Sequence, residues 1–208
     1  MNSKPWLKNY PADVPHEIDV SQYPSLIELL EESFRKHAKS PVTVCMEEWM
    51  TYGQLDDLSA TVGAWLQSQG LPPGARVALM MPNVPQFLVS MAAILRAGYT
   101  CVNVNPLYTP RELAHQLRDS GAEAIIILEN FASTLEEVIG QTQVRHVVLA
   151  SMGDLLGFWY GRWITFAVRH LAKMVPAFRM PLSGPQGDIQ VMPFKEVLAH
   201  GSGKTLKR

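Results

Sequence analysis

Residue types that could do chemistry are present, but few of them stand at spacings that chemistry requires. Gly203-Lys204-Thr205 has the composition of the end of a phosphate-binding loop, in which backbone donors and a lysine cradle phosphates at a helix N-terminus. That motif needs a glycine five residues before Gly203 and a helix after it. The sequence offers Leu198 and three further residues, so a basic tail is the better reading. His16, His37, His115, His146, His170 and His200 are scattered, with no metal-ligand spacing and no nucleophile partner. Ser90 and Ser151 lie outside any Gly-x-Ser-x-Gly turn, and no Gly-x-Gly-x-x-Gly follows a strand. Asp119, Glu123 and Glu129 fall near predicted strand ends, where caps and solvated turns are the common use of a carboxylate. They are given no role. Cys45 and Cys101 are too few for a disulfide framework.

The segment 155–175 (LLGFWYGRWITFAVRHLAKMV) is the most informative local feature. Arg162, Arg169 and Lys173 share one side of a helical projection, and Trp163, Ile164, Ala167, Val168, Leu171 and Met174 gather opposite them. An interfacial amphipathic helix has this design, with Trp159 and Trp163 entering the lipid boundary and the basic side chains facing anionic headgroups. An ordinary helix packed on its own domain with a solvated basic face has it too, and both readings stand at this point. Gly157 and Gly161 weaken the first turn in either case.

The elements that must position these residues follow from caps and periodicity. Residues 1–24, rich in proline, read as an extended strip. Ser25 and Glu28 open a helix to about residue 37, and apolar runs at 42–45 and 49–52 suggest a hairpin. Thr51 with Gln54 begins a second helix that stops near Gly70. Thereafter strand and helix alternate: strand 76–81, helix 85–97 closed by Gly98, strand 100–104, helix 110–120 opened by Thr109-Pro110-Arg111-Glu112, strand 124–128, helix 132–139 and strand 145–149. Short, continuously apolar strands between amphipathic helices predict an α/β fold with a doubly wound, mostly parallel sheet covered on both faces. The expected organisation is a strip 1–24, an α/β region 25–150, a basic and apolar helical segment 151–180, and a connector 181–208 with a short strand and helix within 191–200.

Composition agrees with a globular chain. Of 208 residues, 47% are hydrophobic and 18% charged, which excludes disorder and coiled coil. The 18 Lys and Arg against 19 Asp and Glu leave a net charge of -1, so no global field draws the molecule to nucleic acid. The sequence has neither a signal-peptide h-region nor a membrane-spanning run, and the expected location is the cytoplasm, peripheral on the membrane if 155–175 acts on lipid.

Two blocks go beyond fold class. Met50-Thr51-Tyr52-Gly53-Gln54-Leu55 resembles the L-T-Y-x-E-L opening motif of the adenylate-forming (AMP-binding) superfamily, and Leu95-Arg96-Ala97-Gly98-Tyr99-Thr100-Cys101-Val102-Asn103-Val104-Asn105-Pro106 resembles its L-K-A-G-x-x-Y-V-P-x-D motif. With Pro11-Ala12-Asp13-Val14-Pro15, Val77-Ala78-Leu79-Met80-Met81-Pro82-Asn83 and residues 102–117, the likeness narrows to bacterial long-chain fatty-acid–CoA ligases. Gln54 and Asn105 replace the motif's Glu and Asp conservatively. The resemblance implies the N-terminal part of the adenylate-forming fold. It also implies a reaction in which ATP and a long-chain fatty acid give acyl-adenylate and pyrophosphate, with Mg2+ assisting, before the CoA thiol displaces AMP. The family's Ser/Thr/Gly-rich phosphate loop, nucleotide contacts and adenylation lysine are not matched by any residue here. The resemblance therefore implies a portion that ends before that loop, inactive alone, with no catalytic, cofactor-binding or metal residue to carry over and no cofactor expected on it. A membrane-surface or partner-binding module derived from such an enzyme, with a homodimer as one form, is the alternative. For that alternative the candidate residues are Trp159, Arg162, Trp163, Arg169 and Lys173.

Overall fold

The computed structural model describes residues 4–207. Proline does not leave the first residues wholly extended: Pro5 starts a single 3-10 turn, Pro5–Asn9, where its missing N–H costs nothing, and exposed bends follow. Helix α1 (Leu26–Lys36) begins where the Ser25 hydroxyl accepts the Glu28 N–H, and its Phe34 is buried. Strands β1 (Pro41–Cys45) and β2 (Glu48–Thr51) form the expected antiparallel hairpin. Met46 and Glu47, both at positive φ, make its tight turn, one residue earlier than the carboxylates suggested. At the N-terminus of α2 (Tyr52–Gln67), Thr51 and Gln54 complete a reciprocal capping box.

Next come β3 (Arg76–Met80), α3 (Pro85–Arg96), β4 (Thr100–Asn103), α4 (Pro110–Ser120), β5 (Ala124–Leu128), α5 (Ala132–Glu136) and β6 (His146–Ala150). Thr109 and Glu112 form the predicted box on α4, and Gly121, at φ 63°, closes that helix in the left-handed conformation. After β6 come α6 (Phe158–Phe166), a two-stranded turn, β7 (Ser183–Gly184) with β8 (Gly187–Asp188), then β9 (Gln190–Pro193) and α7 (Phe194–Gly201).

Five strands make one sheet in the order β4-β3-β5-β6-β9, parallel throughout. The strand alternation predicts both faces of its core. Val77, Leu79, Ile126, Leu128 and Val148 pack against α2, α3 and α7, and Ala78, Met80, Ile125, Ile127 and Val147 pack against α4 and α5. The chain leaves β3 for β4 on one side and returns past it to β5 on the other, so the sheet is doubly wound with its switch point between β3 and β5.

The segment 181–208, anticipated as a connector, supplies the fifth strand and a core helix: Phe194 and Val197 are fully buried. A Cβ on Gly201 would overlap the Thr61 backbone carbonyl of α2. Beyond α7 the Gln67 side chain binds both the carbonyl and the N–H of Lys207, at 2.8 and 2.9 Å. Gly203-Lys204-Thr205 lies in this closing turn, where the Lys204 N–H is spent on the Gly201 carbonyl and residues 204–207 are not helical. It is not a phosphate cradle.

Residues 155–175 depart from one continuous amphipathic helix. Helix α6 (Phe158–Phe166) starts at Gly157, passes into a π turn, Ala167–Leu171, and ends as Lys173 takes positive φ. A close backbone contact seats α6 on the domain. Gly161 lies so close to Gly153, in the loop after β6, that a Cβ on either would overlap the other's carbonyl oxygen.

Candidate functional site at the carboxyl edge of the sheet

In a doubly wound sheet, ligands are received outside the carboxyl ends of the strands. Here those ends carry an unusual polar group. Glu129 directly follows the wholly apolar β5, and its carboxylate is 5% exposed. The Arg169 guanidinium satisfies it: Nε donates to both carboxylate oxygens, at 3.1 and 2.9 Å, and the same guanidinium reaches the Ser151 Oγ at 3.2 Å. Asp154 accepts the Ser151 N–H at 2.7 Å and faces Lys195 of α7 at 3.8 Å. Burial pushes its carboxyl above the usual range. The loop that carries Ser151 is also held from α3, where the fully buried Gln86 amide donates to the Ser151 carbonyl. Asn130 adds a bond from its amide to the Met174 carbonyl.

Around this group lies an open cleft of about 330 Å³, lined by Ser151, Asp154, Arg162, Thr165, Arg169, His170 and Lys195. Outside it runs an aromatic ridge. Phe158, Trp159, Trp163 and Phe166 are 67, 80, 56 and 48% exposed; Trp163 stacks on Phe166, and Phe166 meets His170. Arg162 lies over the Phe158 ring, 5.6 Å from its centroid.

Of the five candidate residues, Trp159, Arg162 and Trp163 are all exposed on α6, the two tryptophans on the ridge and Arg162 at the cleft beside it. Arg169 instead turns into the domain as the partner of Glu129, and Lys173 lies beyond the helical turns. Ile164 and Val168, assigned to the apolar side, are half-buried toward the domain. Residue types at helical spacing could not reveal that a carboxylate forty positions away would claim one of three cations. Glu129 is the residue that sequence reasoning left without a role. A charge immediately after a strand of five apolar residues was the available signal.

The two motif blocks have structural duties. The Gly53 N–H binds the Ala38 carbonyl. The buried Arg96 guanidinium binds the Asp56 carbonyl, the Ser59 hydroxyl and the Asp56 carboxylate at 2.8, 2.7 and 2.7 Å, above the Phe34 ring. Gly98, at φ 82°, turns the chain into β4, and the Asn105 side chain accepts the Leu107 N–H. Cys101 is inert by environment, its thiol pushed up to about 11 by burial. Among the described residues no group of three or more His, Cys, Asp and Glu is placed to hold a metal ion. No helix of the described residues is long and apolar enough to cross a membrane.

A doubly wound sheet with these blocks in order defines the class: the chain belongs to the AMP-binding enzyme family, whose model matches residues 30–159. Within that family it is similar to long-chain-fatty-acid–CoA ligases. It is 51% identical over 179 residues to the one from Yersinia pestis, covering 86% of this chain and 32% of that protein. It is 48% identical over 199 residues to the one from Salmonella typhimurium, covering 95% of this chain and 34% of that protein. The chain thus spans about a third of the length of these relatives. The crystal structure of a long-chain-fatty-acid-CoA ligase from Archaeoglobus fulgidus shares the fold, with a TM-score of 0.56 at 18% identity over 81% of this chain and 34% of that one.

Proposed function

We propose that these residues form the N-terminal α/β lobe of a long-chain fatty-acid–CoA ligase, working with the remaining two thirds of such an enzyme and without adenylating activity alone. The observation that carries this reading is identity near one half to ligases of that name, sustained over 86 to 95% of the chain. In that role the lobe contributes rigid framework: a buried sheet, capped helices, and the Arg96 junction that fixes α1, α2 and α3. Joining residues 1–208 to the complementary part of the Salmonella relative tests it. The chimera is expected to release pyrophosphate with ATP and oleate and to form oleoyl-CoA, whereas the 208-residue chain gives neither. A cooperatively folded chimera that activates no long-chain acid would overturn the assignment, and pyrophosphate release by the chain alone would overturn its inactivity.

A second, compatible reading is favoured by the exposed aromatic ridge of α6. Four large aromatic side chains standing in water beside Arg162 have the composition of a membrane-interface element. Sedimentation with vesicles containing anionic lipid is expected for the chain and lost on deletion of residues 155–175. Equal sedimentation after that deletion would end this reading.

A further inference from the structure

The cleft beside α6 and the ridge on it are adjacent by helical geometry. Positions 159, 163 and 166 lie within one narrow sector of the helix, and 162, 165 and 169 occupy the next sector round toward the sheet. An object resting on the ridge therefore has the cleft mouth directly at its side. The charges of the cleft are not balanced at that mouth. Glu129 and Asp154, at the floor, each face a cation, Arg169 and Lys195 respectively. Arg162 has no carboxylate partner among the described residues and only the Phe158 ring beneath it. Lys195, half exposed, stands 3.8 Å from a carboxyl whose charge burial disfavours. The Thr165 hydroxyl and the His170 ring add hydrogen-bonding groups to the same wall.

The geometry points to a receptor for the phosphate of an anionic phospholipid headgroup, held by Arg162, Lys195, Thr165 and His170 while Trp159, Trp163 and Phe166 enter the acyl boundary beside it. This inference rests on the membrane-surface reading and deepens it by naming the lipid chemistry and the residues. Charge complementarity selects an anion. The ridge selects a lipid source over a free phosphate compound, because a phosphate in water has no use for three exposed aromatic rings next to it. A cleft of about 330 Å³ has room for a headgroup phosphate with its glycerol carbons.

The test uses the 208-residue chain with vesicles of phosphatidylcholine alone and of phosphatidylcholine mixed with phosphatidylglycerol, read by sedimentation and by tryptophan fluorescence. Arg162→Gln and Lys195→Gln are each expected to lower the preference for the phosphatidylglycerol vesicles by about fivefold, in line with one surface cation apiece. Arg111→Gln, which removes an exposed cation from α4 and the same unit of net charge, is expected to leave the preference unchanged. Trp159→Ala with Trp163→Ala is expected to abolish binding to both vesicle types. Thermal melts identical to the parent show that each variant is folded. If the Arg162 and Lys195 variants keep the full preference while the tryptophan variant loses binding, the headgroup receptor is wrong and the membrane reading stands. If the parent binds neither vesicle, both are wrong. Inorganic phosphate that protects Arg162 from a guanidinium-directed reagent, with no vesicle preference in the parent, would overturn the lipid source.

Discussion

Replacing Arg96 by Met tests how the first three helices are joined. Met preserves the aliphatic stem over Phe34 and removes the guanidinium, which is 5% exposed and donates to the Asp56 carbonyl, the Ser59 hydroxyl and the Asp56 carboxylate. The first two acceptors are poorly hydrated, Ser59 being fully buried, and losing a charged donor to such groups costs roughly 1.5–3 kcal/mol each before relief of the arginine's own desolvation. The Asp56 carboxylate is 41% exposed and rehydrates, so its share is discounted to about 0–1 kcal/mol. The Glu31 carboxylate, 3.7 Å from Nε and 12% exposed, loses a nearby cation. A net cost of about 3 kcal/mol results, which for a chain of this size lowers Tm by roughly 6–12 °C. Asp56→Asn keeps the backbone carbonyl and should cost about 1 kcal/mol or less. Urea and thermal unfolding followed by circular dichroism read both. An Arg96→Met chain that melts with the parent, or an Asp56→Asn chain that loses as much as Arg96→Met, would refute the claim that buried neutral acceptors carry this junction.

Two further outcomes follow from packing and charge. Gly161→Ala places a methyl group against the Gly153 carbonyl, so α6 must lift; amide exchange over 158–171 should accelerate at a local cost of about 1–3 kcal/mol while the sheet keeps its protection, and unchanged exchange would show that the close approach is not needed. Burial, with Arg145 alongside, holds the His146 imidazole below its usual range, so as pH falls the unfolded chain takes up that proton first. His146 should therefore contribute its full stability above its ordinary value of 6.5 and lose it progressively below, and His146→Gln should flatten that decline in urea midpoints; Asp154, raised by burial, works in the opposite sense at more acid pH.

Where a signal was local, it was legible. Thr51 with Gln54, Thr109 with Glu112, and glycines 98 and 121 set boundaries that hold to within a residue, because a cap is decided by side chains three or four positions away. The five strands of the sheet were visible as apolar runs or, for β9, as a short strand in the tail. Its place in the sheet was not, since a four-residue strand says nothing of its partner. The site was less legible for the same reason: the sector that α6 turns inward is chosen by Glu129 and Gly153, both distant in sequence, so periodicity alone put Arg169 and Lys173 with Arg162.

The seating of α7 against α2 has a consequence for how the chain acquires its shape. Gln67 and Lys207 meet across 140 positions, and closing a loop of that length costs about 4 kcal/mol in chain entropy before any contact across it forms. During synthesis, α2 leaves the ribosome long before the helix that covers it, and its Thr61 face and Gly63 notch stay wet until Gly201 and Leu206 emerge. Folding of this lobe is accordingly expected to finish late, with a nascent-chain holdase most useful in the interval between β6 and α7.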